Sequence, residues 1–143
     1  MEKIALTLIL VFLHIQSCVG PPVYNDGLLE NTPAVINEND YFALSLLGDK
    51  YTKNKEWNLL MSTNSSEVIL TTLVIKDLNN SSSDSSFLIL INEFEDTLMN
   101  IQILDEIVFS SLDSAIHTGA PSEVIFKGNN FTGRLEYQIL INK

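Results

Sequence analysis

The chain has one cysteine, Cys18, in 143 residues. No disulfide can form within it, so a packed core must hold the fold unaided, which a domain of this size can do. Histidine is almost as scarce, with His14 and His117. Without thiols or a second histidine near His117, zinc would need a mostly carboxylate shell, which makes a poor structural site. Cations are few: 8 Lys and Arg stand against 18 Asp and Glu, for a net charge of −10. An acidic surface disfavours nucleic acid and anionic lipid, because phosphate contacts need Lys or Arg. There is no glycine-rich phosphate loop, no basic patch and no G-x-S-x-G nucleophile elbow. The opening apolar run, Ile4 to Ile15, is too short for a comfortable membrane span, which takes about 20 residues, and no later stretch is long and apolar enough either. No metal or cofactor is expected on these grounds.

The first twenty residues read as a secretory signal. Lys3 is a weak positive start, Ile4 to Ile15 is an apolar run broken by Thr7 and His14, and Ser17, Cys18 and Gly20 are small residues at the cleavage end. Removing this segment leaves the net charge at −10, since it takes one Lys and one Glu. An uncleaved anchor or a buried first strand is the alternative. So is a lipid-bearing Cys18, which Gln16 fits poorly and which would attach the chain to a membrane. Four N-x-S/T sequons, at Asn64, Asn79, Asn80 and Asn130, all fall in turn-forming stretches where an acceptor is accessible. Together with the leader they point to a secreted glycoprotein. Adjacent Asn79 and Asn80 are not expected to carry glycans together.

Residues 21–40, with Pro21, Pro22, Gly27 and Pro33, read as an extended arm, and residues 41–143 as one domain. Tyr41 to Leu47 suits a strand or a helical turn, ended by Gly48 and Asp49. Trp57, Leu59 and Met61 alternate with smaller or polar neighbours, which places Trp57 in the core. Val68–Ile75 and Phe87–Ile91 are nearly continuous apolar runs, as for strands buried on both faces. Met99 to Ile103 alternates, and Ile107 to Phe109 is short. Ser111 could cap a helical turn running to Ile116, stopped by Gly119 and Pro121. Val124 and Phe126 lead to a hairpin-like K-G-N-N turn, with positive φ open to Gly128 and Asn129. Leu135 to Ile141 is the closing strand. About seven or eight short strands with no long amphipathic helix imply an all-β fold, an antiparallel sandwich of jelly-roll-like form.

Four segments resemble a CUB domain, a β-sandwich module of extracellular proteins: Y-T-K-N-K-E-W at 51–57, E-V-I-L-T-T-L-V-I-K-D-L-N at 67–79, S-S-F-L-I-L-I at 85–91 and V-I-F-K-G-N-N-F-T-G-R-L-E-Y at 124–137. The resemblance runs from Tyr51 to Ile141. It departs where that family has cysteines, with Lys55 before Trp57 and Ser83 in the following loop. The family's calcium-binding acids correspond to Asn79, Ser86 and Asn129, none a carboxylate, with Asp77 and Asp84 nearby. The resemblance implies a non-catalytic module that binds an extracellular protein or glycan through its loops. The expected contacts are Asp77, Asp84, Glu93, Glu95 and Asp96, with Asp105 and Glu106 in a further acidic loop facing a basic partner, and the aromatics Phe131, Tyr51 and Tyr41. Glu93, Glu95 and Asp96 could also supply paired carboxylates for glycoside hydrolysis, against the simpler reading of a solvated face. The competing class is a small secreted hydrolase using His117 with Asp113 and one of Ser110, Ser111 or Ser114.

Overall fold

Side chains alternate across a strand, so each of these apolar-polar runs has one face to bury and needs a second sheet to bury it against. The computed structural model describes residues 27–79 and 85–142. The expected leader at 1–20, Cys18, Asn80 and Asp84 lie outside the described residues. The strands are β1 (Ala34–Asn37), β2 (Tyr41–Tyr51), β3 (Asn54–Asn58), β4 (Val68–Lys76), β5 (Ser86–Asn92), β6 (Thr97–Ile103), β7 (Ile107–Ser114), β8 (Pro121–Lys127) and β9 (Phe131–Asn142). One helical turn, α1 (Ala115–Thr118), separates β7 from β8.

The strands form two antiparallel sheets, one ordered β1-β2-β9-β4-β7 and the other β3-β8-β5-β6. The fold is an all-β sandwich. Strands β2 to β9 switch between the sheets in the jelly-roll manner, so most sequence neighbours belong to opposite layers. β1 falls within the stretch read as an arm and pairs with β2 from Ala34 opposite Ser45 to Asn37 opposite Phe42.

The core lies between the layers. Phe42, Leu44 and Leu46 of β2, Leu73 and Ile75 of β4, Leu88 of β5, Val124 and Phe126 of β8, and Leu135, Tyr137 and Ile139 of β9 are all buried. Phe126 meets Phe131 edge-on at 5.5 Å between ring centres, and Tyr51 lies tilted against Phe126 at 5.8 Å. Phe42 meets Tyr137 at 6.3 Å, also edge-on. Such arrangements set the positive ring edge against the negative ring face.

Several local expectations change. Phe131 and Tyr51 were read as exposed contact aromatics, yet both are buried, and Tyr41 is half-buried. Phe131 opens β9 and lies over Gly48, where a Cβ would come within 2.5 Å of its Cδ1 and 2.7 Å of its carbonyl oxygen. Gly48 is therefore not a turn residue. β2 runs on through it to Tyr51 across a bulge, and the glycine makes room for the ring. Trp57 is only half-buried at the margin of the core. It pairs with Val124 on β8, in the sheet opposite β4. Lys127 to Asn130 is not a hairpin turn, because β8 and β9 lie in different sheets. Positive φ there belongs to Asn130, at 52°. Ser111 does not cap a helix: β7 continues to Ser114, paired with β4 along its length, and Ser114 precedes α1. The outward faces of β4 and β5 are half-buried rather than fully covered, because among the described residues no further layer lies over either sheet.

The hydroxyl of Tyr137 is buried without a hydrogen-bond partner among the described residues. Burial pushes this phenol far above its ordinary value of 10.0. A phenol with a raised folded-state pKa contributes its full stability below the unfolded value and loses it as pH rises beyond. Stability should therefore fall above about pH 10, with Tyr137 contributing up to about 1.4 kcal/mol per pH unit. Tyr137→Phe should reduce that slope and add about 1 kcal/mol at neutral pH by removing an unsatisfied hydroxyl. Urea unfolding at pH 7 to 11 checks both, and an unchanged slope would contradict the assignment.

Candidate interaction surface

The acidic residues sort to two ends of the sandwich. Asp77 follows β4, with φ of 55°, at the end where Asn79 N–H donates to the Thr132 carbonyl at 2.9 Å. Asp105 and Glu106 join β6 to β7 at that same end. Glu93, Glu95 and Asp96 form the β5–β6 turn at the opposite end. The acidic residues read together from the sequence therefore do not form one surface, and Phe131 belongs to neither group because it is buried.

The β5–β6 turn is held by a set of side-chain hydrogen bonds. Its organiser is Asn92, a residue with no role in the sequence reading. The Asn92 side chain is buried and makes three hydrogen bonds. Its Oδ1 accepts from the Phe94 N–H at 2.9 Å and the Asp96 N–H at 2.8 Å. Its Nδ2 donates to the Thr118 carbonyl at 2.8 Å. An asparagine side chain bonding backbone groups just ahead of it mimics a turn of main chain. The third bond ties that turn to the end of α1. Glu93 adds two more ties to the same segment. Its N–H donates to the Ala120 carbonyl at 2.9 Å, and its Oε1 accepts from the Ala120 N–H at 3.0 Å. Glu93 is thus engaged in holding the turn, while Glu95 and Asp96 face solvent.

This scaffold holds Phe94 outward, 67% exposed. The ring passes Gly119, whose φ is 71° and where a Cβ would lie 2.8 Å from Phe94 Cε2. Phe94, exposed Ile116 and His117 border a hollow of about 280 Å³, with Thr63 to Ser65 on its far rim. Behind that rim, buried Glu67 accepts from the Asn64 N–H at 2.7 Å and from Asn64 Nδ2 at 3.3 Å. The sequon asparagines Asn64, Asn79 and Asn130 are all exposed.

Of the residues of the hydrolase alternative, Ser111 and Asp113 share one cleft and His117 lines another. The Ser111 hydroxyl donates to Asp113 Oδ2, and both line a cleft between the sheets. His117 lines the separate hollow beside Phe94. Ser86, at a position that the CUB resemblance matches to calcium binding, is buried, and its hydroxyl accepts from the Asn129 N–H at 2.9 Å. Among the described residues no three His, Cys, Asp or Glu side chains are grouped to hold a metal ion, and no helix is long and apolar enough to cross a membrane.

No family model matches this chain, and no curated protein matches it. A solved structure that aligns is the enzymatically active domain of tailspike protein 4 from bacteriophage CBA120, at 11% identity and a TM-score of 0.35. The alignment covers 81% of this chain and 18% of that one, so the chain spans under a fifth of its length. The likeness is too distant to bear on chemistry.

Proposed function

We propose that this chain is a secreted, non-catalytic binding module that contacts an extracellular protein or glycan through the loops at one end of its sandwich. The observation that carries the reading is Phe94, a large apolar ring held out to solvent on a turn fixed by Asn92. A ring already held in place loses little conformational freedom on binding, which is what makes a preordered aromatic an effective anchor. Glu95 and Asp96 flank it and favour a partner with cationic groups. The CUB resemblance belongs to the same proposal. The apolar segment at 4–15 and the exposed sequons support secretion and glycosylation.

Two measurements test this. Protein recovered from the medium of eukaryotic cells should begin near Pro21 and lose mass on treatment with an N-glycosidase; retention of Met1, or a lipid on Cys18, would overturn the secretory part. Surface plasmon resonance against a glycan array and a panel of basic extracellular proteins should find a ligand that Phe94→Ser binds about tenfold more weakly, a loss in the range of a moderate anchor residue. Equal binding by Phe94→Ser, or no ligand across the panel, counts against this surface.

A further inference from the structure

We infer that β7 is a docking edge for an extended, cationic segment of a partner protein, which adds as a strand beside it and places a lysine or arginine against Asp113. Strand β7 pairs with β4 on one side, and among the described residues no strand covers its other edge. Exposed edges are commonly blunted by lysine, proline or a bulge. The eight residues of β7, I-V-F-S-S-L-D-S, contain no lysine or proline, and their pairing with β4 shows no register shift. Outward-facing Val108 and Leu112 are 87% and 70% exposed.

The inward face supplies the specificity. Phe109, Ser111 and Asp113 of β7, with Leu98 and Met99 of β6, border a cleft of about 100 Å³ that opens between the two edge strands. That volume takes one side chain rather than a small-molecule ligand, whose pockets run to about 300–1,000 Å³. The floor is mostly apolar, formed by buried Ile69 and Leu90 with buried Thr71 beside them. At its border stands a carboxylate that the Ser111 hydroxyl orients. A lysine or arginine fits this gradient, with its apolar stem in the cleft and its charged head at Asp113. An added strand presents alternate side chains to this cleft and the others to Val108 and Leu112.

Charge selects a foreign segment over a second copy. From Asp105 to Ser114 the sequence has three carboxylates and no cation, and the whole chain carries −10. Two β7 edges brought together would set two such surfaces against each other, whereas a basic strand is drawn in. Phe94 does not line this cleft, so Asp113 and Phe94 can be substituted to test the two proposals separately.

The test uses the whole secreted protein and a fluorescent ten-residue peptide with lysine at alternate positions and threonine between them. Fluorescence anisotropy at 0.15 M salt should show saturable binding, and the matching glutamate peptide should not bind. Asp113→Asn should weaken binding about fivefold, the upper range for a partly exposed ion pair. Glu38→Gln, beyond β1 on the far edge of the sheet, should leave it unchanged. Two further peptides carry backbone N-methyl groups on the odd or the even residues. Only one of these should lose binding, because a strand offers alternate N–H groups to each side. Equal loss in Asp113→Asn and Glu38→Gln, or equal binding by both methylated peptides, would reduce the effect to general charge attraction and overturn the proposal. So would a concentration-dependent dimer in sedimentation that occludes β7.

Discussion

Phe131→Ala is expected to lower the free energy of unfolding by about 3–5 kcal/mol, the usual cost of emptying a buried aromatic site. The ring is fully buried, packs edge-on against Phe126 and fills the space left by Gly48. Because the cavity would be bordered by the β2 backbone at Gly48, neighbouring side chains cannot easily collapse into it. Domains of this kind often have only about 5–15 kcal/mol in total, so the variant should melt well below the parent and accumulate poorly. Phe131→Leu, which keeps most of the volume, should lose far less. Urea denaturation followed by circular dichroism reads both. A loss under 1 kcal/mol for the alanine variant would mean that Phe131 is a surface residue after all. Asn130→Gln separates the two roles of this stretch: it removes the sequon while leaving the ring, so its loss, set by the left-handed backbone at Asn130, should stay well below that of Phe131→Ala.

Asn92→Ala should destabilise by about 2–4 kcal/mol, as three hydrogen bonds are lost from a buried side chain and the Phe94 and Asp96 N–H groups lose their acceptor. The effect is local as well as global. The β5–β6 turn would lose its link to Thr118, leaving Glu93 and Ala120 to hold it against α1. Amide hydrogen exchange should then rise at residues 93–96 and 118–120 more than in β9. Asn92→Asp keeps an acceptor for the two N–H groups but gives up the Nδ2 donor, so it should fall between alanine and the parent. Exchange unchanged at the turn would show that Glu93 alone fixes it. If the proposed binding surface is correct, Asn92→Ala also weakens binding without touching the ligand, because Phe94 must then be ordered at each encounter.

The strands were legible because alternation is a local signal. Met99 to Ile103 and Leu135 to Ile141 declare a buried face without reference to any neighbour. Sheet membership is not local. Lys127 to Asn130 has the composition of a hairpin turn, but the same residues serve equally to carry the chain from one layer to the other. Phe131 was misplaced for a related reason: its neighbours Asn129, Asn130 and Thr132 are polar, and only the distant Gly48 reveals the space it occupies. At the candidate surface, the exposed carboxylates Glu95 and Asp96 could be read directly. The role of Asn92 could not, since an asparagine after an apolar strand signals a turn and says nothing of Thr118, 26 residues on. The Asp113–His117 spacing suggested proximity, yet the passage from β7 into α1 directs the two residues to different hollows.

The position of β9 also governs when this protein can fold. It lies between β2 and β4, pairing with both, and contributes Phe131, Leu135, Tyr137, Ile139 and Ile141 to the core. Until Asn142 has left the ribosome, β2 and β4 have no shared neighbour and their apolar faces remain open. The five-stranded sheet is therefore completed only when β9 pairs, whereas β1–β2, β4–β7 and the four-stranded sheet can form without it. The same order leaves Val68–Ile75 without its second partner until β9 pairs, so substitutions that weaken β9 should lower yield more than changes of comparable size in an edge strand such as β1.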